Sequence, residues 1–247
     1  MTDGDQPVSA RNNPLRMRAK EDAVINIIDY GMGNVGSVCK MLKRAGAKHV
    51  TVSSETCDIE AATALILPGV GSYDRGMQQL EKLSLIPLLE RKVIQEKTPI
   101  LGICLGMQLF SQRSEEGERP GLGWLEAETL RFQFNSEDSR LKVPHMGWNY
   151  IQPQRQHWLI DDMEDSRFYF VHSYYVQCRH VEDVLVTANY GFDFTAGVCH
   201  ENILGTQFHP EKSHRFGLAL FRNFVRRIEH AQSASHALPA AEKRRAG

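Results

Sequence analysis

Residues 23–115 alternate short β-branched runs with amphipathic stretches, and few folds accept that order. The run "AVINIID" at 23–29 ends in the glycine turn "YGMGN". In "NVGSVCKMLKRAG", Val35, Val38, Met41 and Leu42 fall at helical spacing, with Asn34 in N-cap position and Gly46 as a stop. "HVTVS" reads as a second strand, and "ALILPGVG" as a third that breaks at Pro68. "LSLIPLLERKVIQEK" reads as an amphipathic helix, "PILGI" as a fourth strand and "LGMQLFSQRSE" as a helix after it. Alternation of this kind favours a parallel sheet with helices on its faces. The second half is mostly strand-like: "TLRFQF", "NYIQP", "RFYFVHSYYVQC", "VLVTANY" and "FTAGVCHENILGTQFH". A closing helix, "RFGLALFRNFVRRIEH", puts Leu218, Phe221, Phe224, Val225 and Ile228 on one face. The expectation is one α/β domain with a mixed, largely parallel sheet over residues 23–230. Residues 1–22 are expected to be a disordered extension and residues 231–247 a disordered tail.

Composition excludes several classes. A chain of 247 residues with 42% hydrophobic and 24% charged side chains buries a sizeable core without disulfides or metals. A formal net charge of −1 gives no electrostatic reason to expect nucleic acid or an anionic membrane as partner. No apolar run approaches the roughly 18–20 residues that span a bilayer. The five cysteines form no C-x-x-C pair, so neither a zinc site nor a disulfide framework is indicated; no metal or cofactor is expected, and the cytoplasm is the expected location. Cys39, Cys57, Cys178 and Cys199 read as small hydrophobes in a reducing compartment.

Cys104 differs. "GICLG" places it between Gly102 and Gly106, where a strand meets a helix, which is the layout of a nucleophile elbow. A Cβ at either glycine would crowd the neighbouring strand or helix. A helix N-terminus favours thiolate, and the N–H of Leu105 would face the oxygen of an attacked carbonyl. The alternative is a glycine-rich turn with an incidental buried thiol, so the question is whether a base exists. "GTQFHPEKS" supplies one: a strand ending in Phe208 delivers His209, Pro210 is expected to keep it extended, and Glu211, two residues on, to lie near its ring. Glu211 would accept from Nδ1–H and leave Nε2 facing the thiol. "LILPGVGSYDRGM" ends a strand in a turn whose Val70 and Gly71 amides could serve an oxyanion.

Together these residues resemble the class I (triad) glutamine amidotransferases: "GICLGMQ" looks like their nucleophile motif and "FHPE" like their His/Glu motif. "IDYGMGNVGSV", "LPGVGSYDRGM", "VPHMGWN" and "FYFVHSYYV" are similar to the glutaminase subunits of imidazole glycerol phosphate synthase, over roughly residues 24–229. The resemblance implies a flavodoxin-like glutamine amidotransferase domain, with Cys104, His209 and Glu211 as the triad and Val70, Gly71 and Leu105 as the oxyanion hole. It implies that Gln108, Glu116, His172, Ser173 and Tyr174 hold glutamine. It implies a heterodimer with a (β/α)8 cyclase subunit, contacted through Asn34, Met146, Trp148, Asn149, Tyr169 and Lys212. Ammonia would pass to that partner, which makes imidazole glycerol phosphate and AICAR in histidine biosynthesis. Read from its residues alone, Trp148 is as much a core tryptophan as an interface one.

Two other readings stand beside this one. The same glutaminase chemistry could feed a related synthase in surface-polysaccharide sugar amidation. A non-enzymatic thiol sensor or chaperone with a cysteine elbow would need Cys104 but not His209.

Overall fold

The computed structural model describes residues 22–134, 141–163 and 165–237. The expected extension at 1–22 therefore falls, but for Asp22, outside the described residues.

Five parallel strands form the centre of the molecule: β1 (Val24–Ile28), β2 (His49–Ser53), β3 (Ala64–Gly69), β4 (Ile100–Cys104) and β13 (Ile203–Thr206), in the order β2-β1-β3-β4-β13. That order is the one expected of a flavodoxin-like sheet. The sheet continues antiparallel through β12 (Asp193–His200), β10 (Tyr174–Cys178) and β6 (Ala127–Arg131), and ends on the two-residue β5 (Arg113–Ser114), parallel to β6. β11 (Val184–Asn189) pairs with β12 and with β8 (Gln152–Pro153). A separate antiparallel pair, β7 (His145–Tyr150) and β9 (Arg167–His172), lies outside this path.

Because side chains alternate along a strand, the buried strands feed two cores. In β3, Ala64 and Ile66 face one core and Leu65 and Leu67 the other. The first core receives Val38, Met41 and Leu42 from α1 (Val35–Arg44) and Phe221 and Phe224 from α6 (His214–Ala237). The second receives Met77 and Leu80 from α3 (Tyr73–Lys82), and Leu88 and Leu89 from α4 (Ile86–Glu90), which continues into a wider π-type turn at Arg91–Gln95. Asn34 caps α1, its side chain accepting from Ser37 N–H at 3.1 Å.

Four elements differ from the sequence reading. The helix expected over 105–115 is a single turn, α5 (Leu105–Gln108). Ser111 Oγ donates to the Gln108 carbonyl at 2.7 Å, and Gln112 N–H turns to the Ala127 carbonyl, so the chain joins β6 instead of continuing the helix. Two helices carried no sequence assignment, α2 (Thr56–Ala61) and α3. In α3, Tyr73, Gly76, Met77 and Leu80 form the buried stripe, and Gly76 admits Leu109 against the helix backbone. Finally, α6 continues to Ala237, seven residues beyond the expected boundary at 230. Its last turns are alanine-rich, and the first breaker in sequence is Pro239.

Candidate active site

Three neighbouring parallel strands deliver the predicted chemistry to one edge of the sheet. Gly69 at the end of β3 pairs with Cys104 at the end of β4, and Ile103 pairs with Thr206 at the end of β13. The "PGVG" turn, the cysteine and the "FHPE" segment therefore emerge side by side, at the carboxyl ends of parallel strands where α/β folds bind ligands.

Cys104 has φ +53° and ψ −110°, a left-handed conformation that a non-glycine residue adopts only under constraint. The constraint is the close fit of α5 against β3: a Cβ at Gly106 would lie 1.8 Å from the Leu67 carbonyl oxygen, and one at Gly102 would lie 2.7 Å from the Met107 nitrogen. Only glycine permits these approaches. Since α5 is one turn long, its contribution at the sulfur comes from first-turn amides such as Leu105 N–H, not from an extended dipole.

His209 Nδ1 donates to Glu211 Oε1 at 2.8 Å, and both side chains are almost wholly buried. Burial alone would pull the imidazolium down. The Cys104 sulfur and then the Glu211 carboxylate outweigh it and push the ring up to about 9. His209 N–H is fixed to the Tyr169 carbonyl at 2.9 Å, and its carbonyl accepts from Ser213 Oγ at 2.6 Å, so its backbone is held from two sides. Two buried atoms of this pair, His209 Nε2 and Glu211 Oε2, have no hydrogen-bond partner within the protein. A third, Tyr30 Oη, sits where Cys104 influences it; burial, then that sulfur, push its phenol far above the usual range.

The oxyanion candidates lie at this edge. Val70 is 48% exposed, Gly71 has φ +125°, and among the described residues no backbone hydrogen bond engages either N–H. Gln108 is buried, and its Nε2 donates to the Tyr174 carbonyl at 3.0 Å and to Gln207 Oε1 at 3.1 Å. Its two amide hydrogens are thereby used, which fixes the orientation of the amide. The Tyr174 carbonyl also accepts from His172 Nδ1 at 2.7 Å, and the Ser173 carbonyl accepts from Phe132 N–H. Glu116 lies at the start of α3, where Oε2 accepts from Tyr73 N–H at 2.8 Å; burial, opposed by this bond, raises its pKa.

The predicted interface residues divide. Met146 and Trp148 are 62% and 44% exposed, which removes the reading of Trp148 as a core tryptophan. Trp148 stacks on His214 with ring centroids 5.6 Å apart and meets Tyr169 edge-on, and Lys212 lies over the Tyr169 ring. Asn34 and Asn149 are committed locally, Asn34 to its helix cap and Asn149 to the Asn189 carbonyl at 2.7 Å.

Sequence reasoning passed over two buried polar residues here. Gln207 Nε2 lies 3.6 Å from Cys104 Sγ, and His145 Nδ1 lies 3.0 Å from His172 Nε2. Both stand inside quoted segments, "GTQFHPEKS" and "VPHMGWN", but their side chains meet their partners only in the folded chain. Among the described residues no group of three or more His, Cys, Asp or Glu could hold a metal ion, and the five cysteines are free.

Comparison with known proteins gives the family. The family described as glutamine amidotransferase class-I matches residues 26–228, and the chain belongs to that family. Beyond the class, the chain is 52% identical over 203 residues to imidazole glycerol phosphate synthase subunit HisH 2 of Pseudomonas aeruginosa, covering 82% of this chain and 98% of the relative. It is 50% identical over 204 residues to the HisH 2 subunit of Methanococcus maripaludis, covering 82% and 99%. Among solved structures it is similar in fold to PurLQS of Thermotoga maritima, with TM-score 0.63, 17% identity and coverage of 84% and 99%. It is also similar to the glutaminase domain of Trypanosoma brucei CTPS, with TM-score 0.59, 15% identity and coverage of 85% and 94%.

Proposed function

We propose that this chain is the glutaminase subunit of imidazole glycerol phosphate synthase, hydrolysing glutamine to glutamate and ammonia and passing the ammonia to a cyclase partner. The observation that carries the reading is a strained cysteine and a buried His–Glu pair on adjacent strand ends, in a chain half identical to subunits of that name.

The Cys104 thiolate attacks the side-chain amide carbon of glutamine. Negative charge moves to the amide oxygen, which the N–H of Leu105 and that of Val70 or Gly71 receive. His209 gives its Nε2 proton to the amide nitrogen as the C–N bond breaks, and ammonia leaves a glutamyl thioester. His209, now neutral, takes a proton from water as the hydroxyl adds to the thioester carbon. The C–S bond then breaks, glutamate leaves, and the sulfur returns as thiolate beside the protonated ring. Glu211 holds Nδ1–H throughout, fixing the tautomer. Gln108, Glu116 and the 172–174 segment are assigned to holding glutamine.

The partner is a (β/α)8 cyclase subunit. The face carrying Met146, Trp148, Tyr169 and Lys212 has the aromatic and Met character of an interface. Ammonia released into bulk water protonates and loses its nucleophilicity, which favours a closed route between subunits. No helix among the described residues is long and apolar enough to cross a membrane, and free cysteines fit a reducing cytoplasm.

The test uses the complex with the cyclase. Cys104→Ala and His209→Ala each abolish glutamine-dependent synthesis, while synthesis from added ammonium salt survives. Full glutaminase turnover by His209→Ala would overturn the triad, whereas a wild-type chain with no glutaminase activity beside the cyclase would favour a non-enzymatic thiol sensor. The second destination to be tested is a related synthase amidating a surface-polysaccharide sugar. Restored growth without histidine in an auxotroph lacking this subunit assigns the histidine pathway; no growth despite an active glutaminase assigns the other.

A further inference from the structure

Strand β7 has two sides with different company. Met146, Trp148 and Tyr150 point outward and are exposed, whereas His145 is buried and Asn149 half-buried. His145 is inserted among aromatic rings, stacked on Tyr190 at 4.1 Å and packed against Phe170 at 4.9 Å. A polar ring in such a place needs partners at both nitrogens, and it has them.

The partners fix the protons. Asn149 Oδ1 accepts from Tyr150 N–H at 2.8 Å, which identifies its other amide atom as the NH₂ group. That NH₂ donates to the Asn189 carbonyl at 2.7 Å and to His145 Nε2 at 3.3 Å. His145 Nε2 is therefore an acceptor, and its proton sits on Nδ1. This Nδ1–H donates to His172 Nε2 at 3.0 Å. At the far end the Tyr174 carbonyl can only accept, so His172 carries its proton on Nδ1 and donates it at 2.7 Å. The two ends of the chain independently demand the same tautomer of both rings.

The Tyr174 carbonyl is a junction, because Gln108 Nε2 donates to it as well. The second hydrogen of that amide goes to Gln207 Oε1, and Gln207 Nε2 donates toward Cys104 Sγ at 3.6 Å. An unbroken series of side-chain bonds thus runs from the inner side of β7 to the nucleophile.

We infer that His145 is a positioning residue for the glutamine site: by donating to His172 it fixes the Tyr174 carbonyl, which with Gln207 locks the orientation of the Gln108 amide beside Cys104. The inference rests on the glutaminase reading for its kinetic consequence, and on geometry alone for the tautomers. It also gives β7 a double role, since whatever docks on Trp148 and Met146 presses on the strand whose inner side starts this series.

Two measurements test it. In the complex with the cyclase, His145→Phe keeps the aromatic packing but removes the donor. The glutamine KM rises about five- to tenfold, the loss expected for one buried hydrogen bond, while kcat changes less than twofold. His145→Asn places an amide donor where Nδ1 was and restores KM to within about twofold. Should the Phe variant not fold, His145→Gln, whose amide reaches the Nε2 place instead, shows the same rise. An unchanged KM without the donor, or an Asn variant as impaired as the Phe variant, overturns the inference. Nitrogen-15 spectra of the histidine rings in the isolated chain give Nδ1–H for both His145 and His172; Nε2–H at either ring overturns it too. A wild-type chain that hydrolyses no glutamine with the cyclase would refute the proposed function, and the ring spectra would still decide the series of bonds.

Discussion

Replacing Glu211 by glutamine separates a catalytic pair from an incidental one. The carboxylate is 2.8 Å from His209 Nδ1, and the two side chains are 2% and 1% exposed, so solvent does little to screen the pair. The ring is pushed up to about 9 against a strong opposing effect of burial. Glutamine is nearly isosteric, so the change removes charge and leaves packing intact. A charge-assisted hydrogen bond is worth roughly 1.5–3 kcal/mol, which converts to about 1–2 pH units. The His209 midpoint should then fall from about 9 to about 7–8, with Cys104 alone left to oppose burial. Turnover should fall by about tenfold to a hundredfold or more. Glu211 Oε2 has no partner to fix the new amide, so its NH₂ can turn toward Nδ1 and force the unproductive tautomer.

The midpoint is best read by a ring NMR titration of the isolated chain, because the α-amine of glutamine titrates in the same range and would distort a rate profile. Folding stability gives a second reading. A raised imidazole pKa contributes stability that is fully present below about 6.5 and is lost as pH rises through about 9. Glu211→Gln should weaken that alkaline loss. A variant whose His209 midpoint stays near 9, with turnover unchanged, would refute the role of Glu211 and with it the proton path written above.

Three further outcomes are expected. Gly106→Ala puts a Cβ 1.8 Å from the Leu67 carbonyl and should cost about 1–3 kcal/mol in denaturant unfolding as well as displacing the elbow; a variant of unchanged stability contradicts the packing that strains Cys104. Trp148→Ala should weaken cyclase binding by about thirtyfold in calorimetry with little change in unfolding, as a half-exposed aromatic anchor does; unfolding without loss of affinity would return Trp148 to the core. Stability should also fall on acidification, since burial holds His145 near 4 and His172 near 3 while the unfolded chain protonates near 6.5. The slope is at most about 1.4 kcal/mol per pH unit for His172 and less for His145, which lies nearer solvent. An acid limb in the His145→Asn variant as steep as in the wild type between pH 6.5 and 4.5 would count against it.

What the sequence made legible, it did through short-range physics. Alternation gave four of the five central strands, with β13 read only inside the strand-like run that leads to His209, and the glycines around Cys104 announced an elbow because they fix local geometry. His209 and Glu211 were readable as a close pair, but not for the expected reason: Pro210–Lys212 is a 3-10 turn capped by His209 instead of an extended run, and that turn brings Glu211 to the ring. Helix α3 escaped because Gly76 and a charged surface obscure its stripe, and only Leu109, a tertiary neighbour, explains the glycine. The helix expected after Cys104 failed for a related reason: Ser111 and the pairing with β6 outcompete propensity, and neither is visible locally. His145 and Gln207 belong to this second kind. Each acquires meaning from a residue 27 or 103 positions away.

The unsatisfied atoms tie these strands of argument together. Four buried side-chain polar atoms of the described residues lack a hydrogen-bond partner, and each such atom costs roughly 1–3 kcal/mol. One, Asn202 Oδ1, stands apart from the triad. The other three are Tyr30 Oη and His209 Nε2, both within the influence of the Cys104 sulfur, and Glu211 Oε2, on the carboxylate that holds the His209 ring. The surrounding residues do the opposite: the amide hydrogens of Gln108, the carbonyl of Tyr174 and both nitrogens of His145 and His172 are all engaged. A folding core does not arrange its polar groups in this way by chance. A saturated, rigid surround enclosing an unpaired group suits a reaction centre, because His209 Nε2 then finds its partner in the reacting amide and gains that bond's full strength in the transition state.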